Sequence, residues 1–177
     1  WPPLRSFIAG YIILGLIFFN INSVFKAVNP PATVAQKQAD FFTLPKAVSQ
    51  LETDTLYPTF KSFLYNAPQA YNHLLLRPYI YEVPTKSMLP VIIETVIYQL
   101  LFVLFIFFRR KEEHKQYNTF ILFGVFFTLA MLLFIGYIMP NLGSLVRYRS
   151  VYLCFLITPV VCNINWERLR KGFKIKK

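Results

Sequence analysis

Residues 89–139, LPVIIETVIYQLLFVLFIFFRRKEEHKQYNTFILFGVFFTLAMLLFIGYIM, read as two long apolar segments joined by a short charged turn. Each segment has about 20 residues, enough to cross roughly 30 Å of hydrocarbon as a helix. So short a connection makes the two helices antiparallel neighbours. The turn, 109–118, carries four basic and two acidic residues, and basic residues beside apolar spans mark the cytoplasmic side. A transmembrane hairpin with a cytoplasmic tip follows. Gly124, Thr128 and Gly136 form a small-residue stripe on its second helix, suited to close helix packing.

Upstream, residues 6–25 are a further apolar run, with Arg5 at one end and Asn20, Asn22 and Ser23 at the other. It is read as a spanning helix within 1–25. Gly10 and Gly15 offer places where a neighbouring helix can approach. Downstream, the apolar run 151–162 is too short to span alone. Extended back over 145–150 and on to 164 it suffices, so 140–164 is read as a short last membrane helix. The tail 165–177 is basic and cytoplasmic, with Trp166 as an interface anchor. A re-entrant or interfacial last segment is the alternative.

The region 26–88 differs in character. It holds seven of the twelve prolines, with six basic and four acidic residues. Thr33 is expected to cap a helix over 34–42, Thr43 with Pro45 to start another to about residue 52, and Asn66 with Pro68 to open one ending before Pro78. Apolar residues recur too densely for a free loop, so an ordered extracytoplasmic cap of short amphipathic helices is expected. The fold class is therefore all-α: a polytopic transmembrane bundle of about four spans with a small helical cap. Both termini are then cytoplasmic.

Composition agrees. The chain of 177 residues is 55% hydrophobic and only 15% charged, against about a quarter charged in soluble domains, and its mean hydropathy is +0.44. The net charge of +11 does not indicate nucleic acid, because six basic residues lie in the last ten positions and four between Arg109 and Lys115. Clusters flanking spans obey the positive-inside rule, whereas nucleic-acid binding wants a basic face with stacking platforms. Cys154 and Cys162 are eight residues apart on one segment, about 12 Å along a helix, too far to pair. The chain starts at Trp1, which favours a C-terminal portion of a longer chain whose N-terminal part would be a partner.

The chemistry worth following lies at 140–161. Arg147 and Arg149 stand at the edge of an apolar run, and charge at membrane depth calls for a partner, a wet cavity or an anionic ligand. Two residues apart on a helix they point about 200° apart; on a turn they would converge. Asn141, Gly143 and Ser144 suggest such a turn, whose backbone donors can add to an anion site. The planar guanidinium fork suits phosphate, so Arg147 and Arg149 with Asn141 and Ser144 are expected to bind a lipid phosphate. The alternative is that both arginines meet ordinary headgroups or neutralise Glu94. Glu94 is the one acidic residue inside a span, with Ser87 and Tyr98 on its helix face and Thr95 and Gln99 flanking. Glu94 and Tyr98 are read as structural or proton partners, with a salt bridge the leading role. His73 and His114 are isolated, no residue set has metal-ligand spacing, and no cofactor fingerprint is present.

The stretch NLGSLVRYRS, 141–150, resembles a pattern near the C-terminus of multi-pass bacterial envelope proteins of surface-polysaccharide assembly, including polymerase- and glycosyltransferase-like ones. Asn141, Gly143, Ser144, Arg147 and Arg149 carry it. The resemblance implies a bacterial inner-membrane protein of envelope glycan assembly, with a polyprenyl-phosphate-linked sugar held at the outer leaflet. The alternative is a non-catalytic integral membrane subunit of a larger envelope secretion or assembly complex, partnered by other membrane subunits and lipids. Whether the chain is an enzyme is left open by its residues.

Overall fold

The protein is described by a computed structural model covering residues 3–45, 49–79, 81, 88–110 and 118–174, the last three by backbone alone. Seven α-helices are found among these residues: α1 (Pro3–Asn20), α2 (Pro30–Thr43), α3 (Phe60–Leu75), α4 (Leu89–Phe108), α5 (Thr119–Ile138), α6 (Leu142–Asn163) and α7 (Trp166–Lys174). A 3-10 turn, Ile21–Ser23, extends α1. Four of the helices, α1, α4, α5 and α6, are long and apolar enough to cross a membrane. The protein is an all-α, multi-pass membrane bundle.

The spans form because their runs lack interior charge and satisfy every backbone donor within the helix, the condition for crossing lipid. Their boundaries have local causes. Asn118 caps α5 by accepting from the Phe120 amide, and Asn141 caps α6 by accepting from the Gly143 amide at 2.9 Å. The residues read as a turn, Gly143 and Ser144, are instead the first turn of α6. That helix runs unbroken for 22 residues, with Pro159 inside it, and is long and apolar enough to cross a membrane.

Two ends of the bundle are distinguished by charge. At the basic end, α4 hands over to Arg109 and Arg110, and Arg110 N donates to Asn163 O while Asn165 N donates to Phe108 O. These bonds seat α7 beside the foot of α4. At the opposite end, the segment 49–51 is tied to the α5–α6 corner: Leu51 N donates to Pro140 O, Leu142 N to Ser49 O, and Ser49 Oγ to Asn141 Oδ1.

The region 26–88 departs from the expected helix pieces. α2 begins at Pro30, not at Val34, because Asn29 accepts from the Ala32 amide and the two prolines need no intrahelical acceptor. Thr43 ends α2, and among the described residues of 44–59 no helix follows. α3 starts eight residues before Pro68, capped by Thr59 accepting from Ser62 N; Pro68 sits inside it on an exposed side. Gln38 is buried and ties α2 to the rest, donating to Tyr137 O at 2.8 Å and accepting from Leu56 N at 2.7 Å.

The largest departure is the position of α3. It does not stand above the spans but descends among them, antiparallel to α5. Tyr137 Oη donates to Phe63 O near its start, and Tyr71 Oη donates to Leu129 O eight residues deeper along α5. Gly136 permits the approach, since a Cβ there would lie 2.6 Å from Ala70 O. Leu74 is fully buried with Leu132, Leu145 and Leu156 of α5 and α6. Gly124 and Thr128 of the same stripe meet α6 instead, at Phe155 and Tyr152. By contrast Gly10 and Gly15 have no atom within 4 Å of a built Cβ, so the expected helix approach at α1 does not occur among the described residues.

Candidate functional site

A helix that ends inside a bundle exposes its last carbonyls to a medium without water, and each needs a donor. α3 ends in this way. Four successive carbonyls, those of Leu74, Leu75, Leu76 and Arg77, are met by side chains of α4 and α6. Arg149 Nη1 donates to Leu74 O at 3.0 Å and to Arg77 O at 2.8 Å. Tyr98 Oη donates to Leu75 O at 2.6 Å, and Gln99 Nε2 to Leu76 O at 3.2 Å.

Arg149 is the centre of the arrangement and is 1% exposed. Besides the two carbonyls, Nη1 donates to Tyr98 Oη at 2.9 Å and Nη2 to Thr95 Oγ1 at 3.1 Å. Thr95 in turn donates to Val91 O, so each hydroxyl both gives and takes one bond. The guanidinium carbon lies 5.1 Å from the centre of the Tyr98 ring. Its charge faces the negative end of the α3 dipole. Glu94 supplies the formal counter-charge, but at 4.0 Å and with its side chain 45% exposed. Arg149 Nε has no hydrogen-bond partner among the described residues.

Depth follows from helix position. Arg149 is the eighth residue of α6 and Tyr98 the tenth of α4, so both lie about 10–14 Å below the helix starts at 1.5 Å per residue. With the helix starts at the edge of the hydrocarbon, that distance is about a third or more of its ~30 Å thickness.

The expected site residues are thus separated. Arg149, Tyr98 and Glu94 come together, with Thr95. Arg147 does not join them: both arginines are on the regular helix α6, so Arg147 points away and is exposed, and its side chain makes no hydrogen bond or ion pair among the described residues. Asn141 caps α6 and receives Ser49, and Ser144 lies in the first turn of α6. A convergent two-arginine anion pocket is not formed. His73 is buried on α3, and His114, Glu82 and Ser87 lie outside the described residues. Among the described residues no His, Cys, Asp or Glu grouping has the geometry for a metal. Cys154 and Cys162 are unpaired and exposed on α6.

The backbone acceptors of α3 were the part missed from sequence. Their signal was present in the run LLLRP, 74–78, where an apolar helix stops at a proline although nothing local provides donors for its end.

Compared with known protein families, curated proteins and solved structures, the chain finds no match. The functional reading therefore stands on geometry and sequence chemistry.

Proposed function

We propose that this protein is a non-catalytic integral membrane subunit that docks on a partner membrane protein through α4. The observation that carries this reading is Glu94: a carboxylate at membrane depth, on a helix face where Ile93 and Ile97 are also exposed, with its cation 4.0 Å away and already engaged by four other acceptors. Such a group is costly against lipid and favours a neighbouring helix that brings a hydrogen-bond donor. The polar side chains that α4 and α6 bring together, Thr95, Tyr98, Gln99 and Arg149, are occupied in holding the end of α3.

The distribution of basic residues supports an inner-membrane setting with Arg5, Arg109, Arg110 and α7 in the cytoplasm and the α3 entrance on the other side. Labelling tests it: a cysteine placed at Tyr57 in a C154S/C162S background should react with an impermeant maleimide from outside intact cells. Reaction only after lysis would reverse the orientation.

Docking is tested with a photo-crosslinking residue at Ile97 in the native membrane. A discrete protein adduct that disappears in E94L but persists in a lipid-facing control such as V103L is expected. Adducts to lipid alone would overturn the reading.

A second reading is favoured by one observation. Arg147 is an exposed guanidinium at membrane depth on α6, suited to a phosphate. It keeps open the handling of a polyprenyl-phosphate-linked sugar in envelope glycan assembly, now through Arg147 without Arg149. Loss of surface glycan in a stably inserted R147Q variant would favour it; unchanged glycan would sink it.

A further inference from the structure

Between α1, α3 and α5 lies an elongated cavity of about 660 Å³. It exists because small residues face one another there: Gly15 on α1, Ala67 on α3 and Ala130 on α5. Aromatic contacts flank both ends. Phe7 and Tyr11 pack on Phe126 at one end, with ring centres 5.6 and 5.0 Å apart. At the other, Phe18 meets Phe134 and Phe63 at 5.6 and 5.7 Å.

α1 touches the bundle through these contacts and buries none of its residues, so the cavity opens sideways between helices. Of the three tyrosines that line it, Tyr71 and Tyr137 present carbon, because their hydroxyls already bond Leu129 O and Phe63 O, and Tyr11 stands at the contact with Phe126. Water entering such a space finds too few partners to be held. At this depth the medium at the opening is hydrocarbon.

We infer that this slot binds one acyl chain of a membrane phospholipid. From Tyr11 to Phe19 it follows eight residue steps of α1, about 12 Å, close to the ~15 Å that one leaflet of hydrocarbon provides. The slot rises toward the end where α3 enters, so the chain belongs to the leaflet on that side. Lys61, next to Phe60 in the first turn of α3, is exposed on the side away from the slot and leaves a cation in the headgroup zone of that leaflet. The inference is independent of the docking face on α4, which lies on another side of the bundle.

The test uses the full chain in vesicles of phosphatidylethanolamine and phosphatidylglycerol containing a phospholipid with a diazirine in its acyl chain. After illumination, adducts mapped by peptide mass spectrometry should concentrate on Leu14, Gly15 and Ala130. G15L and A130L should bring them down to the level seen at lipid-facing positions of α4, while V103L changes nothing. An even spread of adducts over slot and lipid-facing residues overturns the inference. So does crosslinking at Leu14 to another polypeptide, or displacement of the probe by stoichiometric polyprenyl phosphate but not by equal phospholipid. A second measurement guards against a variant that inserts poorly. In detergent, added phospholipid should raise the unfolding temperature of the natural protein more than that of whichever filled variant inserts, and an equal rise in both also overturns it.

Discussion

Arg149 and Tyr98 are joined twice: the guanidinium donates to the phenol oxygen at 2.9 Å and lies over the ring at 5.1 Å from its centre. The phenol then passes a proton bond to Leu75 O at 2.6 Å. Two spans thereby grip the end of a third helix through one cation and one hydroxyl.

Arg149 should be the most sensitive polar position in the chain. R149L leaves the carbonyls of Leu74 and Arg77 without their donor, and breaking a buried charged network by removing one partner costs about 3–5 kcal/mol. R149K keeps the charge but lacks the planar fork that reaches four acceptors, so it should fall between. Thermal unfolding in detergent orders the three proteins; an R149L as stable as the natural one would refute the central role.

Y98F keeps the ring beside the guanidinium and removes only the oxygen. It unpairs Leu75 O and one guanidinium proton, a loss of about 1–3 kcal/mol. Q99L removes a longer, more exposed bond to Leu76 O and should cost about 0.5–1.5 kcal/mol. If Q99L proves the more damaging, the order of importance at the α3 terminus is misread.

Glu94 behaves differently. Its pairing with Arg149 is long and half exposed, so E94Q in the isolated protein should change stability by under about 1 kcal/mol. Its effect should appear instead in partner crosslinking. A large drop in detergent stability for E94Q would make Glu94 a structural counter-ion and weaken the docking proposal.

G136A and G10A form a matched pair. A methyl at Gly136 meets the Ala70 backbone at 2.6 Å, where backbone must shift, costing about 1–3 kcal/mol. At Gly10 nothing is within 4 Å, so G10A should gain up to about 1 kcal/mol from helix propensity. Unfolding midpoints of the two variants should move in opposite directions.

Much of the bundle was legible because length and composition suffice for it. The α4 and α5 boundaries follow the apolar run, and Asn118 marks a start by its side chain. Of the polar stripe around Glu94, Tyr98 and Thr95 are buried against protein, where polar groups in a span are satisfied, while Glu94 itself is half exposed. The fate of Arg147 and Arg149 was not legible: it turned on whether 142–150 is turn or helix, and Gly143 with Ser144 fits either until Asn141 is seen to cap. α3 was misplaced for a physical reason too. Its alternation of Phe63, Ala70 and Leu74 with Asn66, Gln69 and Asn72 is what a surface helix shows. Only the partners 75 residues later reveal that its end is taken inside.

That separation sets an order on assembly. Leu74 leaves the ribosome 75 residues before the arginine that receives its carbonyl. At a synthesis rate of about 5–20 residues per second the delay is roughly 4–15 s. Throughout it, the carbonyls of Leu74 and Arg77 lack the donor that finally meets them, and α3 is expected to wait at the membrane surface as an amphipathic helix. Only when the last span arrives can it be drawn inward, so a chain truncated before α6 would retain α3 outside the bundle.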